Sequence, residues 1–142
     1  FILSNIYGAN ENSNRLLPYI IQSCIKGEEL SFTSGQQYRQ YTHIRDISKF
    51  LLTNLTDSHN GIFNLTDTKM MTVRELIEKT LKLIQSELGI IPEATFGSIN
   101  KRDISMKYLG LNTAHLQKYF TFAPSISLEE GILEYIQHYE NH

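Results

Sequence analysis

Residues 1–27, FILSNIYGANENSNRLLPYIIQSCIKG, decide the fold class. Phe1 to Tyr7 is a run of strand formers that ends at Gly8, and the polar turn Ala9-Asn10-Glu11-Asn12 breaks it. A helix is expected from about Ser13 to Lys26, with Asn12 or Ser13 as its N-cap and Gly27 as its stop. Pro18 falls near the first turn, where a missing N–H costs least. The chain opens inside an apolar run with no initiating Met and no polar lead-in, so it reads as a fragment or a processed chain. Strand, turn and helix in this order point to an α/β arrangement.

The rest of the chain extends the pattern. Short strands are expected over residues 29–33, 38–44, 62–65 and 94–97. Asp46 is read as the cap of a helix reaching about Leu55, and residues 57–61 are a breaker cluster. The clearest helix begins at Thr72, where Thr72-Val73-Arg74-Glu75 has the capping-box form, and Gly89 ends it. Its apolar residues Val73, Leu76, Ile77, Leu81, Ile84 and Leu88 keep a 3.6 period. A brief helix follows Asn112-Thr113. A second capping box, Ser127-Leu128-Glu129-Glu130, opens the last helix, whose stripe runs to Tyr139. The expectation is a single mixed α/β (or α+β) unit over residues 1–142, with no linker, repeat or low-complexity tract.

Composition narrows the function classes. With 142 residues, 41% hydrophobic and 20% charged, the chain is long enough to bury one sizeable core. The net charge of -2 offers no global positive field for nucleic acid or an anionic membrane, so any bound anion needs a few local cations. No apolar run approaches the roughly 20 residues that a membrane span requires. Cys24 is the only cysteine, which excludes an intramolecular disulfide and fits a cytoplasmic setting. The eight glycines are scattered singly, with no Gly-x-Gly-x-x-Gly loop. Cys and His residues lack metal-ligand spacing, and no Gly-x-Ser-x-Gly elbow is present. Taken alone, the chain carries no catalytic constellation.

An ordered set of motifs adds to this. Asn5-Ile6-Tyr7-Gly8, Arg15-Leu16-Leu17-Pro18, Gly35-Gln36-Gln37-Tyr38-Arg39 and Tyr41-Thr42-His43-Ile44-Arg45-Asp46 occur in sequence. Gly61-Ile62-Phe63-Asn64-Leu65, Thr72-Val73-Arg74-Glu75-Leu76 and Pro124 with Ser127–Ile132 follow. Together they resemble the second half of the extended short-chain dehydrogenase/reductase family, the NAD-dependent nucleotide-sugar epimerases and dehydratases. Phe96-Gly97, Lys101-Arg102, Asn112 and Leu116 are similar to the branch holding the CDP-abequose and CDP-paratose synthases. Gln40, Arg45, Asn112 and Phe122 depart from the usual family residues.

The resemblance implies the C-terminal, substrate-binding lobe of a Rossmann-type fold, including the last strands of the parent sheet. The cofactor-binding N-terminal half, with its Gly-rich loop and catalytic Tyr-x-x-x-Lys pair, would then lie outside the chain. It further implies that Asn5 contacts the diphosphate of a nucleotide sugar and that Ile6 lies near the nicotinamide. Arg39 and Arg102 would clamp the diphosphate, and Ser31 and Phe32 would lie along the nucleobase. Arg15, at a helix start, joins the substrate-binding set. Planar guanidinium groups suit a diphosphate because they offer paired, charge-assisted donors. Residue chemistry alone leaves other readings open: surface ion pairs for the arginines, a turn for Asn5, plain core for Phe32. His43 and Tyr7 read as core residues.

The partners implied are a nucleoside-diphosphate sugar, the family's N-terminal half and, through an exposed sheet edge, a second copy of the chain. NAD or NADP would serve the intact enzyme, in deoxysugar or surface-polysaccharide biosynthesis, and neither is expected on this chain alone. The alternative is a binding or assembly module that kept the fold without the chemistry.

Overall fold

The computed structural model describes residues 1–99 and 106–140. Its elements begin β1 (Ile2–Leu3), β2 (Asn5–Tyr7), α1 (Leu16–Lys26), β3 (Leu30–Phe32), β4 (Tyr38–His43) and α2 (Ile44–Thr53). They continue β5 (Asn64–Leu65), β6 (Met70–Thr72), α3 (Val73–Leu88), β7 (Ala94–Phe96), β8 (Tyr108–Leu109), a 3-10 turn (Leu116–Lys118) and α4 (Leu128–Glu140). The mixed α/β class follows, and most strand pairs are parallel.

The apolar run 1–7 is not one strand. It breaks at Ser4, whose hydroxyl bonds that of Thr66, and its two parts join different sheets. β1 lies parallel to β5, with Ile2 opposite Asn64. β2 lies parallel to β4, with Asn5 opposite Tyr41 and Tyr7 opposite His43. The first half of β4 pairs antiparallel with β6 and parallel with β8. β3 and β7 form a separate parallel pair. β6 and β8 span three and two residues, too short to show a period; their pairing with β4 makes them strands.

Capping residues mark most helix ends as the sequence suggests. Thr72 and Glu75 close a reciprocal capping box, and Gly27 and Gly89 end α1 and α3 in the left-handed conformation. The second box holds too: Ser127 N–H donates to Glu130 at 2.7 Å and Glu130 N–H to Ser127 at 3.1 Å. Two expectations are corrected. The N-cap of α1 is Arg15, while Asn12 forms a turn upstream by accepting from Asn14 N–H. The N-cap of α2 is His43, because β4 runs into the helix with no loop between them. Asp46 instead reaches across to Ser125 and Ile126.

Helices α1, α3 and α4 pack together over the main core, where Ile20, Ile21, Ile77, Ile84, Ile132 and Ile136 are essentially inaccessible. Each such side chain contributes about 1.5–3 kcal/mol of burial. A smaller core joins α2, β5 and the 3-10 turn, with Phe50 and Phe63 set edge-on to Phe120 at 5.7 and 5.1 Å. No helix among the described residues is long and apolar enough to cross a membrane.

Candidate functional site

β2, the turn after it, the start of α1, β3 and β4 converge on an open cavity of about 430 Å³. Val73, Leu76 and Ile77 of α3 supply part of its apolar lining. Asn5, Ile6, Arg15, Ser31, Phe32 and Arg39 all line this one space, although the sequence scatters them over 35 positions. Arg102 lies outside the described residues, as do Lys101 and its other neighbours through Ser105.

The polar lining is held in place by the fold. Asn5 donates its side-chain amide to Gln40 O at 3.1 Å, across the β2–β4 register. Arg39 uses one terminal nitrogen for two carbonyls, Tyr38 O at 2.8 Å and Met106 O at 3.0 Å. Its other terminal nitrogen and Nε make no hydrogen bond among the described residues. Arg15 is held through Nε by Glu11 at 2.8 Å, leaving both of its terminal nitrogens free in the same sense. Gln37 Oε1 is buried with no partner among the described residues, so it can accept from a ligand donor.

An aromatic group forms the other end. Phe32 packs edge-on to Tyr19 at 6.1 Å and tilted against Phe96 at 5.4 Å. Arg74 covers Phe96 at 4.2 Å. Phe32 is therefore a core residue that also presents to the cavity. Ser31 is exposed and meets Thr95 at 3.3 Å.

Tyr41 is a lining residue that the sequence reading did not single out as a site residue. Burial pushes its phenol up to about 12, and the positive charges of Arg39 and Arg15 offset this only in part. It stays a neutral donor. Its position two residues after Arg39 on β4 was the available signal, because alternate strand residues share a face. Glu11 and Tyr135 were also missed. They stand 124 residues apart, and no local pattern joins them.

His43 and Tyr7 are the buried pair expected, with rings edge-on at 5.1 Å, and Tyr7 also lines the cavity. Burial holds His43 below its usual range; Glu134 and Asp46 pull the other way, and Arg45 pushes further down. A second depression of about 280 Å³ is lined by Asp46, Asp67, Lys69, Lys79 and Glu129. Its lysine at 79 is already paired with Glu129 at 2.8 Å.

Residues 1–66 match the model of the NAD dependent epimerase/dehydratase family. A CDP-abequose synthase of Salmonella typhimurium is 26% identical over 145 residues, covering 95% of this chain and 46% of that protein. A UDP-N-acetylglucosamine 4-epimerase from Methanobrevibacter ruminantium, solved with UDP-N-acetylmuramic acid, superposes with TM-score 0.81 at 21% identity. That match covers 98% of this chain and 44% of the epimerase. A dTDP-glucose 4,6-dehydratase from Bacillus anthracis, solved with NAD, gives 0.77 at 22% identity, covering 98% of this chain and 43% of that one. The chain thus spans less than half the length of the curated relatives it matches.

These findings correct one expectation. The sequence reading made the whole chain a C-terminal substrate-binding portion only. The family match starts at the first residue and covers β1, β2, β3, β4 and β5, including the parallel pairs of β1 with β5 and of β2 with β4. Residues 1–66 are thus similar to the stretch that the family model describes, and a C-terminal lobe alone does not account for the match.

Gly8, at the end of β2, is small because a Cβ there would collide with the Ile44 side chain, so it serves the packing of α2. No step through a nicotinamide follows from these residues.

Proposed function

We propose, for a chain related to NAD-dependent nucleotide-sugar epimerases and dehydratases, that the cavity of about 430 Å³ binds the nucleoside-diphosphate part of a nucleotide sugar. The observation that carries this is the convergence of Asn5, Arg15 and Arg39 with Ser31 and Phe32 on one space. Among the described residues Arg15 and Arg39 keep free N–H groups for the diphosphate, and Asn5 lines the same cavity from the start of β2. Phe32 and Ser31 offer an apolar face and a hydroxyl for the base. With a net charge of -2, long-range attraction adds little, so these local donors carry the recognition.

On this reading Arg102 serves the diphosphate set and Ile6, a lining residue of the cavity, serves the nicotinamide side. The sequence has no Gly-rich dinucleotide loop and no Tyr-x-x-x-Lys pair. Hydride and proton transfer on the sugar therefore require residues beyond these 142. Binding of the remote nucleotide handle is what this chain contributes: it orients the sugar for chemistry carried out elsewhere.

Calorimetric titration of the chain with CDP-, dTDP-, UDP- and GDP-sugars tests the reading. Binding that weakens about tenfold to a hundredfold in Arg39→Ala is expected, the loss of one charge-assisted hydrogen bond at about 1.5–3 kcal/mol. No binding to any of the four classes, or binding indifferent to Arg39, refutes it. NAD-dependent turnover by the chain alone would refute the division of labour.

A further inference from the structure

Arg15 is a peculiar choice for an anion site. Its side chain is 55% exposed, and a free arginine on a helix start samples many rotamers. Here it is not free. Its Nε donates to Glu11 Oε1 at 2.8 Å, and Glu11 is itself only 18% exposed. The other Glu11 oxygen accepts from the Tyr135 hydroxyl. Tyr135 belongs to α4 and is fully buried in the main core. The same hydroxyl accepts from Gly8 N–H at 2.8 Å, at the end of the strand that carries Asn5 and Ile6. One phenol therefore ties the core to both the strand end and the turn beside the cavity.

We infer that Tyr135 and Glu11 are positioning residues that hold Arg15 by its Nε, with both terminal nitrogens left for the anionic part of the ligand. The inference rests on the nucleotide-diphosphate reading of the cavity and deepens it. Electrostatics alone argues against a carboxylate in an anion site, because its charge repels a diphosphate. Its presence, with each oxygen engaged, makes sense as geometry: it removes the rotamer freedom of Arg15 before the ligand arrives, which lowers the ordering cost of binding. Burial and the Glu11 carboxylate both raise the Tyr135 hydroxyl pKa, so it remains a proton donor at all ordinary pH values.

The two accounts differ in sign. If Glu11 only repels the ligand, Glu11→Gln strengthens diphosphate binding. If it positions Arg15, the substitution weakens binding, because a neutral amide is a poorer partner for the guanidinium.

The test uses the 142-residue chain and UDP and CDP, each titrated alongside its nucleoside. Glu11→Gln and Tyr135→Phe are expected to weaken diphosphate binding about threefold to tenfold, the ordering cost of one long side chain. Nucleoside binding and thermal melting of Glu11→Gln should not change. Arg15→Ala combined with Glu11→Gln should bind no more weakly than Arg15→Ala alone. Equal or tighter diphosphate binding by Glu11→Gln overturns the inference, as does full additivity in the double variant. Should Tyr135→Phe fail to fold, the glutamate series decides by itself. If the unsubstituted chain binds neither diphosphate, the function proposed above fails first. If it binds both and the glutamate variant is indifferent, only the positioning role fails.

Discussion

Asp46→Ala tests how the site is braced. Asp46 is 5% exposed and accepts from Ser125 N–H at 3.0 Å, Ser125 Oγ–H at 3.0 Å and Ile126 N–H at 3.2 Å. It thereby fixes the segment that leads into the Ser127 capping box and α4, the helix carrying Tyr135. Hydrogen bonds to an ionised group contribute about 1.5–3 kcal/mol each, but the three share one carboxylate and do not add. Ser125 is partly solvated, so water recovers some of the loss. A destabilisation of about 3 kcal/mol is expected for Asp46→Ala. For a chain of this size that is a fall in Tm on the order of 10 °C. Asp46→Asn keeps one acceptor oxygen but turns an amide toward a donor, so it should cost about half as much. Urea denaturation followed by circular dichroism measures both. A lowered midpoint with an unchanged slope is the expected form. Asp46→Ala within about 0.5 kcal/mol of the parent, the usual range for an unremarkable surface change, would refute the reasoning.

Four further outcomes follow from the same contacts. Replacing Arg39 by Lys should recover little of the affinity lost in Arg39→Ala, because an ammonium cannot hold two carbonyls and still present a planar fork; calorimetry with a nucleoside diphosphate shows it. His43 has its folded pKa below 6.5, so the unfolded chain takes up the proton first and stability falls as pH drops below about 6.5. His43→Asn, which can still accept at the cap of α2, should flatten the stability curve between pH 7 and 5; the lowered carboxylates Glu75, Glu129 and Glu130 lose their contribution only at more acid pH. Gly131→Ala should destabilise by about 1–3 kcal/mol despite the better helix former, because a Cβ there would stand 2.5 Å from the Tyr7 ring; thermal melting decides. The chain alone should turn over no nucleotide sugar when supplied with NAD or NADP, as followed by absorbance of the reduced cofactor.

Local signals determined a good deal. Thr72 with Glu75, Ser127 with Glu130, and the glycines at 27 and 89 mark helix ends because caps are satisfied by residues a few positions away. The 3.6 period of Val73–Leu88 and the resemblance carried by residues 5–8 and 35–46 likewise needed no tertiary information to be seen. What the local pattern misread were the places where a distant partner decides. Ser4 splits the first apolar run because Thr66 binds its hydroxyl and β5 and β4 claim the two halves separately. Asp46 looks like a cap and is instead a brace for residues 79 and 80 positions away. Met70–Thr72 becomes a strand only because β4 offers it an edge. The cavity is the clearest case: Glu11 and Tyr135 meet across 124 residues. Hydrogen bonds between neighbours are written in spacing, whereas those between layers exist only once packing has closed the distance.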